Sequence, residues 1–388
     1  MTPPRLSSTQ MLAKLVAFDT TSRNSNLELI HFVAGYLADH GIASELVHDE
    51  TGAKANLWAT IGPAADGGVV LSGHTDVVPV DGQPWTSDPW TLTDKGDGRL
   101  YGRGTCDMKA FSAVALALVP EFLAAGLKAP VHLALSYDEE VGCIGVHGLV
   151  KRIGELGVKP RLAVIGEPTM MRVVDAHKSI RSYRVTVTGH EAHSSNVHKG
   201  VSAVMVAAEL IGKLAEIAAD LRAAGDATGR FDPPFSTVIA NTIDGGTAQN
   251  ILARSCRFTY EIRGLPGADG DAVAARFADH ALGVVLPRLH AIAPGADIQI
   301  RQRAMSPPLF PHPGSDAESF VMALAERNAA EAVSYATEAG IFQAAGIPAL
   351  VCGPGDIAEA HQPDEFIEAS QIPLCEAFMR RLMKRLSA

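Results

Sequence analysis

Val131-His132-Leu133-Ala134-Leu135-Ser136 runs straight into Tyr137-Asp138-Glu139-Glu140. The first six residues, nearly all apolar, read as a strand buried on both faces. Such strands belong to a parallel sheet covered by helices on either side. Three consecutive acids at the end of that strand repel one another unless cations neutralise them. Neighbours at a strand end also point different ways, so one carboxylate can ligate a metal while the next faces an attacking water. A solvated acidic loop would use the same letters, but it fits poorly after so apolar a run.

The pattern recurs outward from 131–140. Apolar runs at 56–61, 69–71 and 162–165 also read as strands, and an Ala-rich helix starts near 108. His74-Thr75-Asp76 follows 69–71 closely, Glu167 follows 162–165, Asp107 opens the Ala-rich helix, and His361 precedes Gln362-Pro363. Each has a plain reading when taken singly: His74 and Asp76 as loop hydrogen-bonders, Asp107 as an N-cap, Glu167 as a solvated acid, His361 as a surface histidine. Together they supply two imidazoles and three or more carboxylates. That is the inventory for two divalent metals bridged by a shared carboxylate. In open α/β sheets, ligands bind beyond the carboxyl ends of the strands, where most of these residues fall.

Rival motifs fail on spacing. His190 and His193 stand three apart after a strand, whereas a zincin helix needs i and i+4; Gly102-x-Gly104 lacks the third glycine of a dinucleotide loop. No nucleophile elbow occurs, so hydrolysis would rest on a metal-activated water.

Helix signals frame the first part of the chain. Ser7-x-x-Gln10 is a capping box for a helix to about 18, and Gly41 closes a helix from about 27 to 40. From about 179 the texture changes to alternating strands at 181–188, 237–243, 256–263 and 297–303. Helices at 201–221 and 272–286 are interleaved, the second stopping at Pro287. The order β-α-β-β-α-β marks an inserted α+β domain over 179–304. Residues 1–178 and 305–388 then form one discontinuous α/β domain, which would let Glu167 and His361 meet across the insertion.

The chain has 388 residues, enough for two such domains, and 47% are hydrophobic. A net charge of −10 argues against nucleic acid as a partner. Mean hydropathy is +0.12, and no apolar run reads as a membrane span. Met1-Thr2-Pro3-Pro4-Arg5 has no apolar leader, so cytoplasmic residence is the expectation. The five cysteines form no C-x-x-C pair, which indicates neither a disulfide framework nor a thiolate zinc site.

With these residues assembled, the chain resembles the M20 metallopeptidase and deacylase family nearly end to end. The resemblance rests on Ser72-Gly73-His74-Thr75-Asp76-Val77-Val78-Pro79, Gly102-Arg103-Gly104-Thr105-Cys106-Asp107-Met108-Lys109 and Asp138-Glu139-Glu140-Val141-Gly142. It rests equally on Ile165-Gly166-Glu167-Pro168-Thr169 and on Gly353-Pro354-Gly355 leading to Ala360-His361-Gln362-Pro363-Asp364-Glu365. Thr337-Glu338-Ala339-Gly340 looks most like the deacetylase branch.

The resemblance implies a zinc-peptidase-like catalytic domain, with a mostly parallel central sheet flanked by helices. The inserted domain becomes a ferredoxin-like lid or dimerisation domain. Two divalent metals are implied, zinc foremost, with cobalt or manganese as alternatives. Asp107 would bridge them, His74 and Glu167 completing one site and Glu140 and His361 the other. Asp76 would orient His74, and Glu139 would be the general base. His193 would stabilise the oxyanion, reaching the partner subunit's site in a homodimer. Asn250 and Arg263 would hold the substrate α-carboxylate. The implied reaction removes the N-acyl group of a small N-acyl amino acid. N2-acetyl-L-ornithine of arginine biosynthesis comes first, with N-succinyl-diaminopimelate or a dipeptide as alternatives. A silent, merely binding relative should lack a ligand or the base, and here all are present.

Overall fold

The computed structural model describes residues 5–388; the opening Met1-Thr2-Pro3-Pro4, on which part of the leader reading rests, lies outside them. The chain forms two compact units. One runs up to Ala176 and resumes over Pro311–Glu331 and Thr337–Ala388; the other is His177–Phe310 with Ala332–Ala336. The insertion is thus a little wider than 179–304, and a short piece of the returning chain joins it.

The first unit centres on an eight-stranded sheet. Its order is Ser44–His48, Ala55–Ile61, Val131–Ser136, Val69–His74, Leu162–Pro168, Ala349–Gly353, Val173–His177, Ala330–Val333. The four strands 131–136, 69–74, 162–168 and 349–353 run parallel, and every residue in them is buried. The 44–48, 55–61 and 173–177 strands pair antiparallel, so the sheet is mixed. Apolarity predicted burial of Ala55–Ile61 correctly but not its direction, because coverage on both faces says nothing about polarity of the chain.

Ser7 and Gln10 make the reciprocal capping bonds of the Ser8–Val16 helix. The Lys109–Ala117 helix is apolar nearly all round and buried nearly all round. It packs on the 69–74 strand and against the helices Ser8–Val16 and Gln371–Ser387. The fit to the sheet is close: a Cβ on Gly166 would lie 2.0 Å from the Phe111 ring. The residue before Glu167 therefore has to be glycine for helix and strand to approach this far.

The second unit is a four-stranded antiparallel sheet in the order Thr237–Gly245, Ser255–Gly264, Ser179–Thr188, Asp297–Ser306. Tyr183, Val185, Val187, Phe258, Tyr260 and Ile262 fill its inner face against the Ala203–Ala224 and Gly270–Asp279 helices. This is the β-α-β-β-α-β order. Pro287 does not end the second helix. A π turn at His280–Val285 intervenes, and Pro287 sits in the first turn of Leu286–His290, where its missing N–H is tolerated. The five cysteines are free and buried. No helix of the described residues is long and apolar enough to cross a membrane.

Candidate active site

The parallel strands deliver the polar residues to one edge. His74 ends its strand, Glu167 is next to last in its own, and Asp138-Glu139-Glu140 follow Ser136 after one residue. Asp107 precedes the Lys109–Ala117 helix. It is not the cap: that position is Met108, with no side-chain cap bond. His361 arrives from the returning segment, just past the short Ile357–Glu359 turn.

Asp107 stands at the centre. Its Oδ1 is 3.0 Å from His74 Nε2, and its Oδ2 is 3.2 Å from His361 Nε2. His74 Nε2 also lies 3.8 Å from Glu167 Oε1, and His361 Nε2 lies 2.9 Å from Glu140 Oε2. One carboxylate thus faces two imidazole–carboxylate pairs with different oxygens. Ligand atoms of His74, Asp107 and Glu140 fall within 4.8 Å of one another, as do those of His74, Glu139 and Glu167.

The supports differ from expectation in one respect. His74 Nδ1 donates to the main-chain carbonyl of Asp76 at 2.8 Å, while the Asp76 carboxylate is 3.6 Å away, beyond a hydrogen bond. A carbonyl acceptor at Nδ1 keeps a proton there, so that Nε2 is the nitrogen turned to the carboxylate cluster and the one that offers a lone pair whenever the ring is neutral. The Asp76 carboxylate instead accepts the backbone N–H groups of Glu139 and Glu140, at 3.1 and 3.3 Å, and the Ser22 hydroxyl at 2.7 Å. It holds the Glu139–Glu140 backbone rather than the ring. The three acids also separate: Asp138, in left-handed backbone with φ of 56°, turns to Lys54 Nζ at 2.5 Å. Glu139 and Glu140 face the cluster, and the Cys143 thiol donates to Glu139 Oε1 at 3.3 Å.

Two buried acids escaped the sequence reading as supports. Glu365 accepts the N–H groups of Gly104, Cys106 and Asp107 at 3.0, 2.8 and 3.0 Å and pairs with Arg103 Nη1 at 2.7 Å. Glu338 takes the hydroxyls of Ser136 and Ser72, one from each central strand. Both lay inside quoted motifs. The available signal was Arg103, a cation in an otherwise buried-type stretch that needed an anionic partner.

The buried acids and imidazoles perturb one another strongly. With protein groups alone around it, burial pushes Glu139 up to about 8 and Glu140 to about 7, and Glu167 rises well above the usual carboxylate range for the same reason. Hydrogen bonds that the His361 ring donates to the Asp107 and Glu140 carboxylates hold it up at about 10. Burial would lower His74, but the Asp107 bond and the Glu167 charge keep it well above its ordinary value. Asp107 moves the other way: burial would raise it, yet His361 and His74 hold it low. Glu167 Oε1 is buried with no hydrogen-bond partner. Four carboxylates, one of them with that orphaned oxygen, and two imidazoles form a donor set that fits divalent metal.

His193, Asn250 and Arg263 belong to the second unit. His193 and Asn250 lie on adjoining segments, Ser194 N–H donating to the Asn250 carbonyl at 3.0 Å; both side chains are exposed. His193 Nδ1 accepts the Ser195 N–H at 3.2 Å, which in the neutral ring places the proton on Nε2. Arg263 Nε pairs with Glu261 at 3.2 Å.

The centre in the first unit is that of a metal-dependent hydrolase. The chain belongs to peptidase family M20/M25/M40, whose model matches residues 70–385. It is 36% identical over 376 residues to the acetylornithine deacetylase of Myxococcus xanthus, with 95% of each chain covered. To the acetylornithine deacetylase of Proteus mirabilis it is 34% identical over 374 residues, covering 95% of this chain and 92% of that one. Its fold is similar to that of the M20 family metallo-carboxypeptidase Sso-CP2 from Sulfolobus solfataricus, with a TM-score of 0.79 at 16% identity, covering 98% and 99% of the two chains. Aminopeptidase PepT from Bacillus cereus gives 0.70 at 18% identity, covering 99% and 100%.

Proposed function

We propose that this enzyme hydrolyses N2-acetyl-L-ornithine to L-ornithine and acetate. One observation carries the choice of substrate: similarity to an acetylornithine deacetylase at 36% identity over 95% of both chains. In this reading two divalent ions, zinc foremost, would be held by His74, Asp107 and Glu167 on one side and by Asp107, Glu140 and His361 on the other. Mixed nitrogen and oxygen donors also accept cobalt or manganese. Metal bound by these residues would supply Lewis acidity toward a water and the acyl carbonyl.

The protein's own groups do the rest. Glu139 takes a proton from the attacking water and returns it to the leaving amine nitrogen. Asp76 keeps Glu139 and Glu140 in register through their backbone N–H groups. His193, with its proton on Nε2, is suited to donate to the developing oxyanion. Asn250 and Arg263 are assigned to the substrate α-carboxylate, Arg263 by exchanging its Glu261 partner for that anion. A cytoplasmic homodimer, formed through the second unit, completes the reading and rests on the family resemblance.

A panel of N-acyl amino acids and dipeptides, assayed by amine release with cobalt or zinc added, tests the substrate. The highest kcat/KM is expected for N2-acetyl-L-ornithine. A clear preference for N-succinyl-diaminopimelate or a dipeptide would overturn the substrate and leave the mechanism standing.

The metal requirement carries a signed pH dependence. Glu139, Glu140 and His361 all have folded-state values above their unfolded ones, so the folded chain binds the extra protons. Their stabilisation is complete below the unfolded values and is lost as pH rises through about 7 to 10. Chelator-treated protein should therefore melt at a lower temperature at pH about 9 than at pH about 6, considering these groups. Metal binds the deprotonated ligands, so the rise in Tm on adding zinc should grow over the same interval. Thermal melts across that range check both slopes, and a zinc-induced rise in Tm that shrinks with pH would refute the ligand assignment.

A further inference from the structure

Of the five ligand side chains, four are nearly closed to solvent and His361 is 53% exposed. Its backbone is in the left-handed region, with φ of 65°, on a loop beyond the last parallel strand. A ring so placed needs something to hold its main chain. The side chain that reaches that main chain is Gln83, whose Nε2 donates to the His361 carbonyl at 2.9 Å.

The orientation of the Gln83 amide is dictated by its other contacts. Oε1 accepts from Arg103 Nη2 at 2.6 Å and from Trp85 Nε1 at 3.0 Å. Both are donor-only groups, so the oxygen has to face them and the NH2 has to face His361. Arg103 is itself buried and gives its other terminal nitrogen to Glu365, the acceptor of the Asp107 N–H. An unbroken hydrogen-bond path therefore links two ligands: Asp107 N–H to Glu365, Glu365 to Arg103, Arg103 to Gln83, Gln83 to the His361 carbonyl. Thr86 adds a second staple between the same loops, its N–H and hydroxyl meeting Asp364 at 2.9 and 2.6 Å.

We propose that Gln83 is a positioning residue that presets His361 for the second metal ion, through its carbonyl rather than its ring. The proposal rests on the reading of His361 as a ligand. Groups that orient a ligand without touching the metal typically cost 10–100-fold in affinity when removed. An effect of about that size is expected for the second ion and a smaller one for the first, because Gln83 bonds the His361 main chain directly but reaches Asp107, shared by both ions, through Arg103 and Glu365.

The experiment is a Co2+ titration of the full chain, followed by visible absorption against a competing chelator, in wild type, Gln83→Glu, Gln83→Ala and His361→Ala. Gln83→Glu keeps an acceptor for Arg103 and Trp85 but has no N–H for the His361 carbonyl. It should keep the wild-type Tm without metal and bind the second Co2+ about 10–100-fold more weakly, even though an added carboxylate by itself attracts cations. Gln83→Ala should show the same weakening and a lower Tm as well. Wild-type affinity for the second ion in both Gln83 variants would overturn the role of Gln83 alone. Uptake of a single ion by the wild type, or unchanged uptake by His361→Ala, would instead remove His361 as a ligand and the Gln83 role with it.

Discussion

Glu139→Gln is expected to bind both metal ions as the wild type does and to lose about a hundred- to ten-thousandfold in kcat, the usual contribution of a positioned general base. The substitution changes little else. The backbone N–H of residue 139 still meets Asp76, an amide oxygen still accepts the Cys143 thiol, and residues 140 and 167 keep their carboxylates. Only the ability to take and return a proton disappears. Buried beside Glu140 and Asp107, Glu139 holds its proton unusually well for a carboxylate, which suits a group that has to give that proton to an amine. Metal content of the purified variant separates the two explanations for a dead enzyme. Wild-type turnover, or a variant that has lost an ion, would sink the assignment of Glu139 as base.

Glu365→Ala is expected to be the most damaging substitution away from the ligands themselves. Glu365 and Arg103 are each about 1% exposed, and the Glu365 carboxylate also carries three backbone N–H groups of the loop ending at Asp107. Removing one partner of a buried pair leaves the other charge uncompensated, at about 3–5 kcal/mol. The three orphaned N–H groups add to that. Because the chain has two compact units, the readout is the Tm of the first transition rather than a single unfolding free energy. Loss of metal uptake should accompany it. Glu365→Gln, which retains one acceptor oxygen, should fall between wild type and the alanine variant and remain soluble enough to measure. A wild-type Tm and metal uptake in Glu365→Gln, with no further loss in the alanine variant, would show that the pair supports nothing.

His74, Glu139, Glu140 and Glu167 are legible because strand ends announce themselves: an apolar run, then a donor. The residues that hold them are not. Asp76 and Glu365 act on backbone N–H groups, and every residue other than proline offers one, so the contact has no sequence signature. Glu338 and Gln83 act across gaps that only the returning chain closes. Pro287 shows the opposite error, a strong local stop signal overridden by a π turn that shifted the proline into a fresh first turn.

Val131–Ser136 and the acids after it carried, by composition alone, a buried strand ending in too much negative charge. That much follows from burial and Coulomb repulsion between neighbours, both local properties. The roles of the acids were decided by tertiary structure. Left-handed backbone at Asp138 turns it to Lys54, the Asp76 carboxylate pins the next two N–H groups, and Asp107 is left between two imidazoles brought by distant segments. Adjacent identical carboxylates become different groups only when the surrounding chain gives each its own neighbours.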